Sequence, residues 1–152
     1  MKTKKGITKL VVGAIIAVVA VGVFALVIAT TQTTSKPESN KEDVTTTLSC
    51  EQSVDQNGYK VTANIDITYV NDNAKVILMK EVDEKETAFT DEEVDEIEAF
   101  VDDSYASWNI ERPDEKTIVI NAELKTDSEA GQQVQHREEA KTMFEERSFV
   151  CK

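Results

Sequence analysis

From Leu10 to Ala29 the chain reads LVVGAIIAVVAVGVFALVIA, twenty residues without a charge, a proline or a strongly polar side chain. At about 1.5 Å rise per residue such a run makes a helix about 30 Å long, the thickness of a bilayer's hydrocarbon core. Lipid offers backbone groups no hydrogen-bond partners, so a helix is the conformation a single apolar segment must take there. The expectation is a transmembrane helix over 10–29. Lys2, Lys4, Lys5 and Lys9 precede it, and no Lys or Arg follows until Lys36. That asymmetry favours an N-terminus, residues 1–9, left in the cytoplasm and a C-terminal domain delivered outside. The alternative is a secretory signal cleaved after Val27-Ile28-Ala29, although signal cores usually run only about 7–15 residues. Both readings put the rest of the chain in an extracytoplasmic compartment.

Charge sharpens the division. Four of the 17 Lys and Arg precede the apolar run and none of the 29 Asp and Glu does, so residues 10–152 carry 13 basic against 29 acidic side chains, a net of −16. A field of that sign repels phosphate backbones and argues against nucleic acid as a partner. Residues 30–43 switch to Thr, Ser, Asn, Lys and acid around Pro37. Lacking apolar residues to offset the entropy of ordering, they read as a flexible linker. What remains, 44–152, is long enough for one small core and too short for two.

Cys50 and Cys151 are the only cysteines, one near the start of this domain and one beside the last residue. Outside the cytoplasm an even pair reads as a disulfide; the alternative is two separate buried thiols.

Within the domain, Leu48, Cys50, Gln52 and Val54 alternate with polar residues, then Asn57-Gly58 interrupts, then Tyr59, Val61, Ala63, Ile65, Ile67 and Tyr69 alternate again. Asn-Gly supplies the positive φ angles of a type I′ hairpin turn, and alternation at period two marks strands with one covered face. Cys50 is in phase with that face. After Asn71-Asp72-Asn73 a third strand runs from Ala74 to Val82, with Val76, Leu78 and Val82 on one side and Ile77 and Met79 on the other. Thr90 and Glu93 form a capping box, and Val94, Ile97, Phe100, Val101, Tyr105 and Trp108 recur at helical spacing. A turn around Pro113, a fourth strand at Thr117–Leu124, a break at 127–131 and a weaker helix at about 132–146 complete the expectation. The fold class is α+β: an N-terminal transmembrane helix, then a four-stranded, mainly antiparallel sheet with two helices on one face, β-β-β-α-β-α.

Chemistry is sparse. Asp91, Glu92, Glu93, Asp95, Glu96, Glu98, Asp102 and Asp103 crowd one helix exterior. Side chains there diverge, and no calcium-loop pattern accompanies them. The single histidine, His136, has no partner in sequence for a zinc site and reads as a surface residue. No nucleophile elbow, S-x-x-K or phosphate-binding glycine loop occurs, and only Gly58 and Gly131 follow the apolar run. With 29 carboxylates some acid pair always exists, so no pair can be nominated for glycoside hydrolysis. No catalytic residue, metal ligand or cofactor is assigned. The expected role is a non-enzymatic binding or structural module, with the membrane met through 10–29 and an unidentified protein or cell-wall partner; an envelope hydrolase is the alternative from another class.

Two resemblances add to this. Thr47-Leu48-Ser49-Cys50 at the head of a hairpin, a second strand ending Ile67-Thr68-Tyr69, an acidic amphipathic helix and a closing Phe149-Val150-Cys151-Lys152 resemble the YehR-like family of small bacterial envelope lipoproteins and its membrane-anchored relatives over about 44–152. The resemblance implies an extracytoplasmic domain without an assigned activity. Thr47 stands where a lipidation motif has Leu, so lipid attachment at Cys50 does not carry over. Lys4-Lys5-Gly6-Ile7-Thr8 before an apolar run is similar to the cleavage site of type IV pilin-like subunits, the alternative assembly role. There Val11 replaces the family's glutamate, and Pro37 interrupts the helix that pilins continue.

Overall fold

A computed structural model describes residues 42–101 and 103–152. Its centre is a six-stranded, wholly antiparallel sheet built from β1 (Thr45–Gln56), β2 (Tyr59–Val70), β3 (Asn73–Lys85), β4 (Tyr105–Asp114), β5 (Thr117–Leu124) and β6 (Val150–Cys151). The spatial order is β4-β5-β3-β2-β1-β6. Three helices, α1 (Asp91–Glu98), α2 (Glu129–Gln132) and α3 (Arg137–Glu146), accompany it. The four-stranded β-β-β-α-β-α sheet with an N-terminal transmembrane helix is therefore corrected to six strands and three helices. Among the described residues no helix is long and apolar enough to cross a membrane. The expected transmembrane helix at 10–29, the flank 1–9 and linker residues 30–41 lie outside the described residues.

The first three strands form as their alternation dictates. Asn57 and Gly58 both take positive φ, 56° and 76°, which closes β1 onto β2 with the twist of a type I′ turn. Asn71 and Asp72, at 50° and 62°, repeat the device between β2 and β3. Leu48, Cys50, Val61, Ala63, Ile65, Ile67 and Tyr69 are buried on one face. β2 and β3 slip register between Thr68 and Tyr69, so that Ala74 and Ile77, three apart, both turn inward.

The same device accounts for the largest correction. Tyr105 and Trp108 read as the end of a long helix because they are three apart, yet they lie on β4. A register shift between Tyr105 and Ser107 inserts one extra residue and restores both rings to the covered side, where they meet edge-on at 4.9 Å. α1 itself stops at Glu98, leaving Phe100 and Val101 exposed. Beyond it the turn at Asp103-Ser104 is followed by Trp108-x-Ile110, which suits a strand better than another helical turn. Pro113 sits on β4, an outermost strand, where its missing N–H breaks no ladder bond to a second neighbour.

Two clusters form the core. Under α2 and α3, Val134, Ala140, Phe144 and Phe149 pack on Leu48, Cys50, Ile65, Ile67 and Tyr69. Under α1, Phe89, Val94 and Ile97 pack on Ile118 and Ile120, with Tyr59, Trp108 and Ile110 at the margin. Among the described residues no helix packs on the opposite face of the sheet. Cys50 and Cys151 are direct cross-strand partners and are joined by a disulfide, which fastens the two-residue β6 to the middle of β1. Ser49 and Lys152 exchange both backbone hydrogen bonds beside it, at 3.3 and 2.9 Å.

Candidate functional site

The polar feature that stands out lies in the second core. Along β3 the alternation that turns Ile77 and Met79 inward continues through Glu81, Asp83 and Lys85. Glu81 is flanked by Ala63 of β2 and Ile120 of β5, Asp83 by Val61 and Ile118. Two carboxyl groups thus occupy core positions, with side-chain surroundings that leave the residues 8% and 1% exposed. Tyr59, at the start of β2, donates its hydroxyl hydrogen to Asp83 Oδ2 at 3.0 Å. Asp83 Oδ1 and the indole Nε1 of Trp108 are buried without a hydrogen-bond partner among the described residues.

Burial is the dominant influence on these groups, because a low-dielectric surrounding disfavours the charged form. It pushes the Glu81 carboxyl up to about 8, with the charge on Asp83 adding to the shift. It pushes Asp83 up to about 6, against the opposing hydrogen bonds from Tyr59 and Glu81. Tyr59 is raised in turn by its own burial and by Asp83. The two acids titrate as a pair and share a proton near neutrality.

A short segment is clamped over the pair. Lys85 Nζ lies 2.7 Å from both carboxylate oxygens of Glu93 in the first turn of α1. Burial favours a neutral Glu93, but hydrogen bonds from Lys85 and from the Thr90 N–H overcome it and hold the carboxyl below its ordinary range. Thr90 and Glu93 complete the capping box, with Thr90 N donating to Glu93 at 2.8 Å and Glu93 N to Thr90 at 3.3 Å. Lys85 also stands 4.6 Å over the Phe89 ring, which meets Tyr59 edge-on at 6.2 Å. Arg112 of β4 donates to the Phe89 carbonyl at 3.3 Å.

Sequence reasoning passed over Glu81 and Asp83, although their phase with Ile77 and Met79 was the available signal. His136 lies at the exposed start of α3, its Nδ1 3.1 Å from the Asp72 carbonyl. The cap there is Asp72, which accepts from Arg137 N at 3.0 Å. Apart from Glu93, the acids of α1 point into solvent or to its margin, and no group of three or more metal-ligating side chains converges among the described residues. An apolar cavity of ≈ 20 Å³ between Ile65, Ile77, Leu124, Val134 and Phe144 has room for about one water. On the helix-free face a shallow concavity of ≈ 360 Å³ is lined by Asp66, Leu78, Lys80, Asn109 and Asn121. Neither is lined by the buried acid pair. Glu81 and Asp83 can hold and release protons, but a substrate has no path to them through these two openings.

No protein-family profile matches the chain, and no curated protein does. It is similar to the NMR structure of a protein from Streptococcus pneumoniae TIGR4, at 14% identity over 84% of each chain and a TM-score of 0.32. That likeness is too distant to carry fold or function from one protein to the other.

Proposed function

We propose that residues 44–152 are the extracytoplasmic domain of a bacterial envelope protein, a non-enzymatic binding or structural module held at the membrane by the apolar run 10–29. The observation that carries this reading is the Cys50–Cys151 disulfide. It uses both of the chain's cysteines and closes the domain from its first strand to its last, the arrangement expected of a chain that matures in an oxidising compartment. The basic head and acidic body of the sequence support the same orientation. A non-enzymatic role is supported by the burial of the acid pair, which withdraws it from substrate.

The test is labelling of intact cells with a membrane-impermeant maleimide, before and after an impermeant reductant. Two thiols that become reactive only after reduction support the reading. Thiols that are free throughout and shielded by the plasma membrane overturn it.

A further inference from the structure

We propose that Glu81 and Asp83 form a proton-operated latch: while the pair keeps a shared proton, residues 86–101 stay closed on the sheet, and loss of that proton lifts α1 away.

The inference rests on what covers the two acids and on what is missing around them. Phe89, Val94 and Ile97 pack on Ile118 and Ile120, the β5 partners of Asp83 and Glu81. Of the eight residues of α1 only Val94 and Ile97 are buried, so the helix is held by a small apolar area. Its other ties include the Lys85–Glu93 and Arg112–Asp91 ion pairs, the Arg112 bond to Phe89, the bond from Phe89 N to the Glu115 carbonyl at 2.7 Å and that from Glu86 N to the Gly58 carbonyl at 3.1 Å. This cover packs on the strand positions that flank the two buried acids.

Among the described residues no neighbouring cation is free to neutralise a second negative charge. From β2 the facing group is Tyr59, a neutral donor already used by Asp83. From β3 it is Lys85, engaged by Glu93 of α1. From β5 come Ile118 and Ile120, and from β4 Trp108 and Ile110. Arg112 of β4 is turned to Asp91 and the Phe89 carbonyl. Ahead of α1, Glu86 would add a further negative charge and stacks against Gly58 instead. Once both are ionised the hydrogen bond between them is lost, and with Asp83 Oδ1 lacking a partner the pair must draw from water whatever Tyr59 and the unpartnered Trp108 N–H cannot supply. Lifting α1 admits that water.

The thermodynamic signature follows from linkage. In the closed form burial raises both acids, Glu81 to about 8 and Asp83 to about 6. In the open form they return to the ordinary carboxylate range, so opening between pH 6 and 8 releases one proton to solvent. The opening constant then grows about tenfold per pH unit, about a hundredfold over that interval.

The experiment is amide hydrogen exchange by mass spectrometry on the full chain in detergent, corrected for the intrinsic pH dependence of exchange. Opening of 91–98 is expected to rise about a hundredfold from pH 6 to 8 and, at every pH, to be far more frequent than opening of β1 and β2, which needs global unfolding. Glu81→Gln is expected to abolish the slope, and Glu92→Gln, on the exposed side of α1, to keep it. Fluorescence of Trp108, the chain's single tryptophan, should shift to the red over the same interval in the wild type. A flat wild-type profile, an unchanged slope in Glu81→Gln, or simultaneous exchange of α1 and β1–β2 would overturn the proposal. Should Glu81→Gln fail to fold, the wild-type contrast between α1 and β1–β2 decides alone.

Discussion

Replacing both Cys50 and Cys151 with Ala is expected to cost the domain a large part of its stability. The bond joins residues 101 apart in sequence, and both lie on strands already paired in the folded state. Its main effect therefore falls on the unfolded chain, whose loop it keeps closed. For a loop of about a hundred residues the chain-entropy model gives about 4.7 kcal/mol at 25 °C, and removal of native disulfides typically costs about 2–5 kcal/mol. Against a total of about 5–15 kcal/mol for a domain, the double variant should be marginal. The assay is urea unfolding followed by Trp108 fluorescence and far-UV circular dichroism, oxidised wild type against double variant. Free energies must be compared, not midpoints alone, because a chain released from its cross-link expands and steepens the urea dependence. A loss below about 1 kcal/mol would refute the reasoning, since loop closure would then contribute almost nothing.

Four further outcomes are expected. Gly131→Ala drives a Cβ into the Lys125 carbonyl oxygen and the Thr126 backbone, which cannot swing aside, and should lower stability by about 1–3 kcal/mol in a thermal melt. Tyr69→Phe removes the donor that reaches the Val134 carbonyl at 3.0 Å inside the core and should cost about 1–3 kcal/mol by urea titration. Thr90→Ala deletes half of the capping box of α1 and should cost about 1 kcal/mol, seen as faster exchange of the first-turn amides. Finally, global stability should fall as pH rises from about 5 to about 8. In that window the unfolded chain has lost the protons of Glu81 and Asp83 while the folded chain still holds them in part, so raised folded-state values destabilise progressively with pH. Urea midpoints at pH 5 and pH 8 check the sign, and a rise towards pH 8 would contradict it.

Local signals in the sequence carried the parts of the fold that local physics decides. Asn57-Gly58 set the first hairpin, Thr90 and Glu93 set the start of α1, and the phase of Cys50 aimed it at the strand where its partner arrives. The errors arose where a bulge imitates a helix. Tyr105 and Trp108 are three residues apart, a spacing that an α-helix and a strand with one inserted residue both produce, and periodicity alone cannot separate them. The return of Phe149-Val150-Cys151 to the start of the sheet was legible, but not β6 as a strand of its own: two residues have no period, and the strand exists because Cys151 and Phe149 are held from elsewhere. Glu81 and Asp83 escaped because charged residues are ordinarily assigned to water, an expectation that here outweighed the alternation of β3.

The brevity of β6 also bears on how these molecules behave in a crowd. β1 is twelve residues long, and β6 occupies only its centre, at Cys50 and Glu51. Without that peg the strand would offer a continuous backbone rail for another copy to zip along, the usual seed of fibrous precipitate. A covalently fixed obstruction in mid-rail breaks it into two stubs, while Pro113 and its irregular neighbours blunt the far border of the sheet. Production in a reducing cytosol would remove the obstruction, so oxidative folding protects solubility as well as shape.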